Sequence, residues 1–109
     1  MFTKSNAGGY RTVLNGVRLK TLVHGERTLM SEFRFDKGAV VPVHTHPHEQ
    51  TGFVVKGALR FEVDGETFVA TEGDSWNLPS SVPHGAEALE PSVVIEVFAP
   101  VREDYLPQA

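Results

Sequence analysis

Apolar and polar residues alternate with a period of two along most of the chain, the pattern of strands that bury one face. YRTVL (Tyr10 to Leu14) and VRLKTLV (Val17 to Val23) flank Asn15-Gly16, a pair suited to the positive φ angles of a two-residue hairpin turn. RTLMSEFRF follows, with Leu29, Ser31, Phe33 and Phe35 on one parity and Met30, Glu32 and Arg34 on the other. Val40, Pro42, His44 and His46 then share a parity, and Pro47 breaks the strand behind them. TGFVVKG reads as a short strand, ALRFEV and ETFVA flank the hairpin signal Asp64-Gly65, and SWNL is another brief strand. PSSVPHG is a loop, and SVVIEVFA is a last strand closed by Pro100. The one helix-like patch, AEAL, is too short to nucleate a helix. About nine or ten short strands at roughly ten-residue intervals predict an all-β sandwich or barrel. Residues 1–9 form a flexible N-terminal arm, residues 10–109 a single domain, and VREDYLPQA its tail.

Composition narrows the chemistry. The 109 residues suffice for one domain with a modest core, and 40% hydrophobic with 22% charged residues is ordinary for a globular chain. A net charge of -4 disfavours nucleic acid and acidic membranes. It does not exclude small anions, since one buried arginine can bind a carboxylate. Without cysteine, a disulfide scaffold, a thiol nucleophile and a Cys-ligated metal are all excluded. No apolar run has the form of a signal peptide or a membrane span, so a cytoplasmic protein is expected.

Within that frame, GAVVPVHTHPHEQTGFVVKG (Gly38 to Gly57) concentrates His44, His46, His48 and Gln50. On an extended strand His44 and His46 face the same way, and a remote His84 is placed to meet them. Imidazole and amide donors suit Mn, Fe, Co, Ni, Cu or Zn better than Ca or Mg. His48, between Pro47 and Glu49, reads as a solvent-facing turn residue, and His24 as a loop histidine. Gln50 either ligates through its carbonyl oxygen or hydrogen-bonds a neighbouring imidazole.

The spacing resembles the cupin superfamily. Its first motif (Gly, five residues, His-x-His, three or four residues, Glu, six residues, Gly) is met by Gly38, His44, His46, position 50 and Gly57. Its second (Gly, five residues, Pro, one residue, Gly, two residues, His) is met by Gly73, Pro79 and His84, with Ser81 at the second glycine. The resemblance implies a double-stranded β-helix, or jelly-roll barrel, and a divalent transition metal held by His44, His46, Gln50 and His84. Gln50 departs from the usual Glu. An amide cancels none of the ion's charge, so the ion is held more weakly and acts as a stronger Lewis acid.

In the last strand Val94, Glu96 and Phe98 share a face, and a single glutamate in an otherwise apolar strand is costly to bury unless something uses it. Glu96 is thus a candidate acid or base, or else an edge residue facing solvent. Arg102 is a candidate carboxylate fork, or else a salt-bridge partner of Glu103 or Asp104. With HPHEQ and PHG, these residues make the chain similar to the small cupins of the pectin-degradation KdgF family. That family's pattern has Asp where Glu96 stands, with Phe98 and Arg102 in place. The resemblance implies an enzyme that isomerises unsaturated uronates to linear keto forms, with Glu96, Phe98 and Arg102 at the ligand. An Fe-dependent dioxygenase and a non-catalytic module binding a small anion are the alternatives. Apolar residues to spare between Tyr10 and Val23 predict a homodimer built through the N-terminal strands.

Overall fold

The computed structural model describes residues 1–107; Gln108 and Ala109, at the end of the expected domain, lie outside the described residues. Ten strands form: β1 (Arg11–Leu14), β2 (Val17–His24), β3 (Leu29–Phe35), β4 (Val40–His44), β5 (Glu49–Lys56), β6 (Ala58–Val63), β7 (Glu66–Thr71), β8 (Ser75–Leu78), β9 (His84–Ala88) and β10 (Ser92–Ala99). A 3-10 turn, Glu103–Tyr105, follows them. The strands make two antiparallel sheets, one ordered β1-β2-β3-β10-β5-β8 and the other β4-β9-β6-β7. This is the all-β architecture that the alternating pattern predicted, arranged as the jelly-roll barrel that the cupin resemblance implied. No helix among the described residues is long and apolar enough to cross a membrane.

The alternation decides which side chains meet between the sheets. Leu19 of β2, Phe33 of β3, Val54 of β5 and Val94 and Phe98 of β10 point inward from the larger sheet. Leu59 and Phe61 of β6, Ala70 of β7 and Ala88 of β9 meet them from the smaller one. At roughly 1.5–3 kcal/mol per fully buried large apolar side chain, this core is the main source of stability. Gly57, the last glycine of the first motif, joins β5 to β6 at φ 99°, and a Cβ there would lie 2.2 Å from Ser92 Oγ. Only glycine fits that corner.

Three local readings are corrected. β4 ends at His44, so His46 lies beyond the strand, in the connection to β5. His84 is not in a loop but opens β9, and Ala86, Glu87 and Ala88 of the AEAL patch belong to the same strand. Glu96 is on no edge: β10 lies between β3 and β5, the most enclosed position in its sheet.

The N-terminal segment reaches the outer face of the larger sheet. Lys20 Nζ donates to the Asn6 carbonyl at 2.6 Å, and the Tyr10 hydroxyl bonds the Glu32 carboxylate.

Candidate functional site

His44, the last residue of β4, stands opposite His84, the first of β9, in the strand register. Their ring centres are 4.4 Å apart. Pro42 is tolerated in β4 because this is the sheet's edge strand and its pairing with β9 is irregular there. His46 is held instead by a neighbouring turn. The Ser81 N–H donates to the His46 carbonyl at 2.9 Å, and the Ser80 hydroxyl donates to the Pro47 carbonyl at 2.6 Å. Its ring lies 4.8 Å from that of His84 and 5.4 Å from that of His44.

The three imidazoles share one arrangement. Nδ1 lies 2.8 Å from the Pro42 carbonyl in His44, 3.0 Å from the His48 carbonyl in His46 and 2.9 Å from the Val82 carbonyl in His84. A carbonyl only accepts, so each Nδ1 carries the proton and each Nε2 presents a lone pair, the tautomer metal-binding histidines adopt. One ligand atom from each of the three falls within 4.8 Å of the others.

Gln50, buried on β5, completes the set. Its Oε1 lies 3.0 Å from His46 Nε2. A neutral His46 has one proton, already engaged at Nδ1, so Oε1 and Nε2 face each other as two acceptors. Burial, aided by the Arg102 and His84 charges, pushes His46 down to about 4, so a second ring proton is absent at neutral pH. A turned Gln50 amide would relieve the clash of lone pairs. A cation would do so too, and would also use the free Nε2 atoms of His44 and His84. Three neutral nitrogens and one amide oxygen fit a divalent transition metal. Burial lowers His84 as well, favouring its ligating form.

The chain's proton-carrying candidate is a few residues away in space. Glu96 is 6% exposed, with Oε2 lacking any hydrogen-bond partner among the described residues. Burial pushes its carboxyl up to about 8 against the pull of Arg102, so with no cation beside it the group is a neutral acid at pH 7. Its neighbour across the ladder is Gly52, where a Cβ would come within 2.2 Å of the Trp76 ring. The missing side chain lets the indole lie against β5 beside Glu96.

Phe98, also buried, has its ring 6.1 Å from His46. Arg102 follows β10, its side chain 12% exposed, with the guanidinium carbon 5.1 Å from the Phe98 ring centre and 4.1 Å from that of Tyr105. It also forks onto the Asp104 carboxylate, with Nε at 3.0 Å and Nη2 at 2.7 Å. Arg102 thus pairs with Asp104, as the salt-bridge reading expected, and is not on the surface but half-buried.

One cavity of about 610 Å³ brings His44, Gln50, His84, Glu96, Phe98 and Arg102 together. That volume is ordinary for a small-molecule site. Arg11, Asp104 and Tyr105 also line it. Nothing in the sequence marked Arg11, and Asp104 was visible only as an ion-pair partner. His48 departs from expectation: it is half-buried, its Nδ1 shut off without a partner among the described residues. It serves the site through its carbonyl, which accepts from His46.

The comparisons with known proteins agree with this geometry. The cupin domain pattern matches residues 31–98. The pectin degradation protein KdgF of Dickeya dadantii is 31% identical over 94 residues, covering 84% of this chain and 86% of that protein. The structure of KdgF from Halomonas sp. superposes with a TM-score of 0.85 at 39% identity, covering 89% of this chain and 90% of the other. An RmlC-like cupin from Shewanella frigidimarina gives the same TM-score at 35% identity, covering 89% and 87%. The chain belongs to the cupin domain family, among small single-domain cupins similar to KdgF.

Proposed function

We propose that this protein is a metal-dependent isomerase of small carboxylated carbonyl compounds, acting on the unsaturated uronates released in pectin or alginate breakdown. The observation that carries the proposal is one cavity lined by His44 and His84 of the three-histidine cluster, by the buried Glu96 and by Arg102. The likeness to two KdgF proteins supports it. When bound at His44, His46, Gln50 and His84, a divalent metal supplies Lewis-acid polarisation of a substrate oxygen.

The remaining work falls to side chains. Arg102 holds the substrate carboxylate, and Phe98 walls the ring. In the reaction the bond between the anomeric carbon and the ring oxygen breaks, and the anomeric hydroxyl gives up its proton to become an aldehyde. The former ring oxygen becomes a ketone as the neighbouring alkene carbon takes a proton, so composition is unchanged. Glu96 moves the protons: its carboxylate, favoured beside a bound cation, takes the proton of the hydroxyl and returns it to the alkene carbon. Loss of the unsaturated uronate's absorbance, followed with metal-loaded protein, tests the proposal. His44→Ala should abolish the acceleration and Arg102→Ala should raise KM; no acceleration by the intact protein would sink it.

The same reading includes a homodimer. β1 is an open edge of the larger sheet, and Leu14, Leu22 and Val23 are left incompletely buried. Light scattering should return twice the 12.0 kDa chain mass, and a monomeric mass would overturn it.

A further inference from the structure

A guanidinium offers five N–H donors in a planar fork with two usable edges. In Arg102 the Asp104 carboxylate takes the edge formed by Nε and Nη2, at 3.0 and 2.7 Å. Nη1 and the second hydrogen of Nη2 remain for another partner. The Phe98 and Tyr105 rings, 5.1 and 4.1 Å from the guanidinium carbon, oppose movement out of position. The carboxylate opposes rotation within the fork's own plane.

Asp104 is itself fastened. Arg11 of β1 donates to its carbonyl, and the Thr21 hydroxyl of β2 donates to the Tyr105 carbonyl. Within the 3-10 turn, the Tyr105 N–H donates to the Arg102 carbonyl at 3.0 Å and the Leu106 N–H to that of Glu103 at 3.2 Å. Packing adds to this, with Tyr105 edge-on to Phe33 at 5.8 Å and to Phe98 at 5.4 Å. The turn is thus tied to the first two strands and the barrel interior, and it holds Arg102 from the solvent side.

We propose that Asp104 is a positioning residue for anion capture, which holds the second edge of the Arg102 fork toward the cavity so that a ligand carboxylate docks there. An ion pair exposed at both ends would be worth little. Here the Asp104 side chain is 59% exposed but Arg102 only 12%, so the aspartate orients a side chain already withdrawn from water. The opposite role, a carboxylate that the ligand must displace, requires the ligand to compete for the Nε edge and reverses the sign of the test. The proposal rests on Arg102 being the carboxylate-binding residue.

Calorimetric titration of the Zn-loaded full chain with galacturonate, and with galactose as the carboxylate-free control, tests it. The wild type should prefer galacturonate. Asp104→Asn should weaken galacturonate binding about tenfold and leave galactose unchanged, the galactose arm separating lost anion capture from any stability lost with the partner of a largely buried guanidinium. In an Arg102→Lys background the same substitution should have no effect, since no fork remains to orient. If Asp104→Asn binds galacturonate equally well or more tightly, the positioning role is overturned while Arg102 as anion binder stands. Equal weakening in the Arg102→Lys background overturns it too. A wild type that does not prefer galacturonate overturns both the inference and the reading of Arg102 beneath it.

Discussion

Glu96 is the residue whose chemistry the fold alters most. Its carboxyl, ordinarily near 4.5, is pushed to about 8 by burial. Between those values the unfolded chain has released the proton while the folded chain keeps it. Its contribution to stability is therefore complete below pH 4.5 and declines as pH rises toward 8, by up to about 1.4 kcal/mol per pH unit. The lowered His46 and His84 act in the opposite sense, raising stability as pH rises through the ordinary histidine range, so the test is a difference. In urea unfolding of metal-free protein at pH 5 and at pH 8, Glu96→Gln should gain more stability, or lose less, than the wild type. Equal pH slopes for the two proteins would show that Glu96 is not held protonated. Ser81 offers a second prediction at this scale. It takes a left-handed conformation, φ 65°, where the family motif has glycine. A side chain is strained there, and that of Ser81 is exposed. Ser81→Gly should raise stability by about 0.5 kcal/mol, read as a melting temperature higher by about 2–4 °C. A lower value would mean that the hydroxyl does more for the turn than the strain costs.

At the scale of elements, the strands were legible because half-burial forces alternation, and Asn15-Gly16 and Asp64-Gly65 marked their hairpins. The same rule fails where a strand lacks that contrast. β9, HGAEA, is built of small and polar residues and pairs with β4 on one side and β6 on the other. Its Ala and Glu residues favour helix locally, and the ladders on both sides override them. Hence His84 read as a loop residue, although its partnership with His44 was foreseen from spacing. His46 was placed on the strand with His44 because parity reports direction, not where pairing stops. Gly52 was silent in the sequence because its role lies in a neighbour: β5 runs beside β8, and Trp76 fills the space a side chain would take. Gly52→Ala should cost about 1–3 kcal/mol in urea unfolding. It should also shift the emission of Trp76, the chain's one tryptophan. Unchanged stability and emission together would show that the indole has room to move.

The whole molecule supplies what no single strand can. His44 and His84 come from the smaller sheet, Gln50 and Glu96 from the larger, and Arg102 from the segment beyond it, so the site exists only when the two sheets are packed. Any ion that binds the folded site and not the open chain must therefore stabilise the fold. At a free metal concentration of about 100 times Kd the gain is about 2.7 kcal/mol, which in a domain of this size raises the melting temperature by about 10–20 °C. His44→Ala and His84→Ala should each remove most of the rise, and a chelator should reverse it in the intact protein. Acidity acts through the same nitrogens, because a proton on Nε2 excludes the metal. Burial holds His84 below its ordinary range and His46 at about 4. Protons displace metal from His46 only as pH falls toward 4, so this ligand remains available at mildly acidic pH. Thermal scans of the intact protein with Mn, Fe, Co, Ni, Cu and Zn decide the matter. A melting temperature that none of these ions raises would remove the metal, and with it the isomerase.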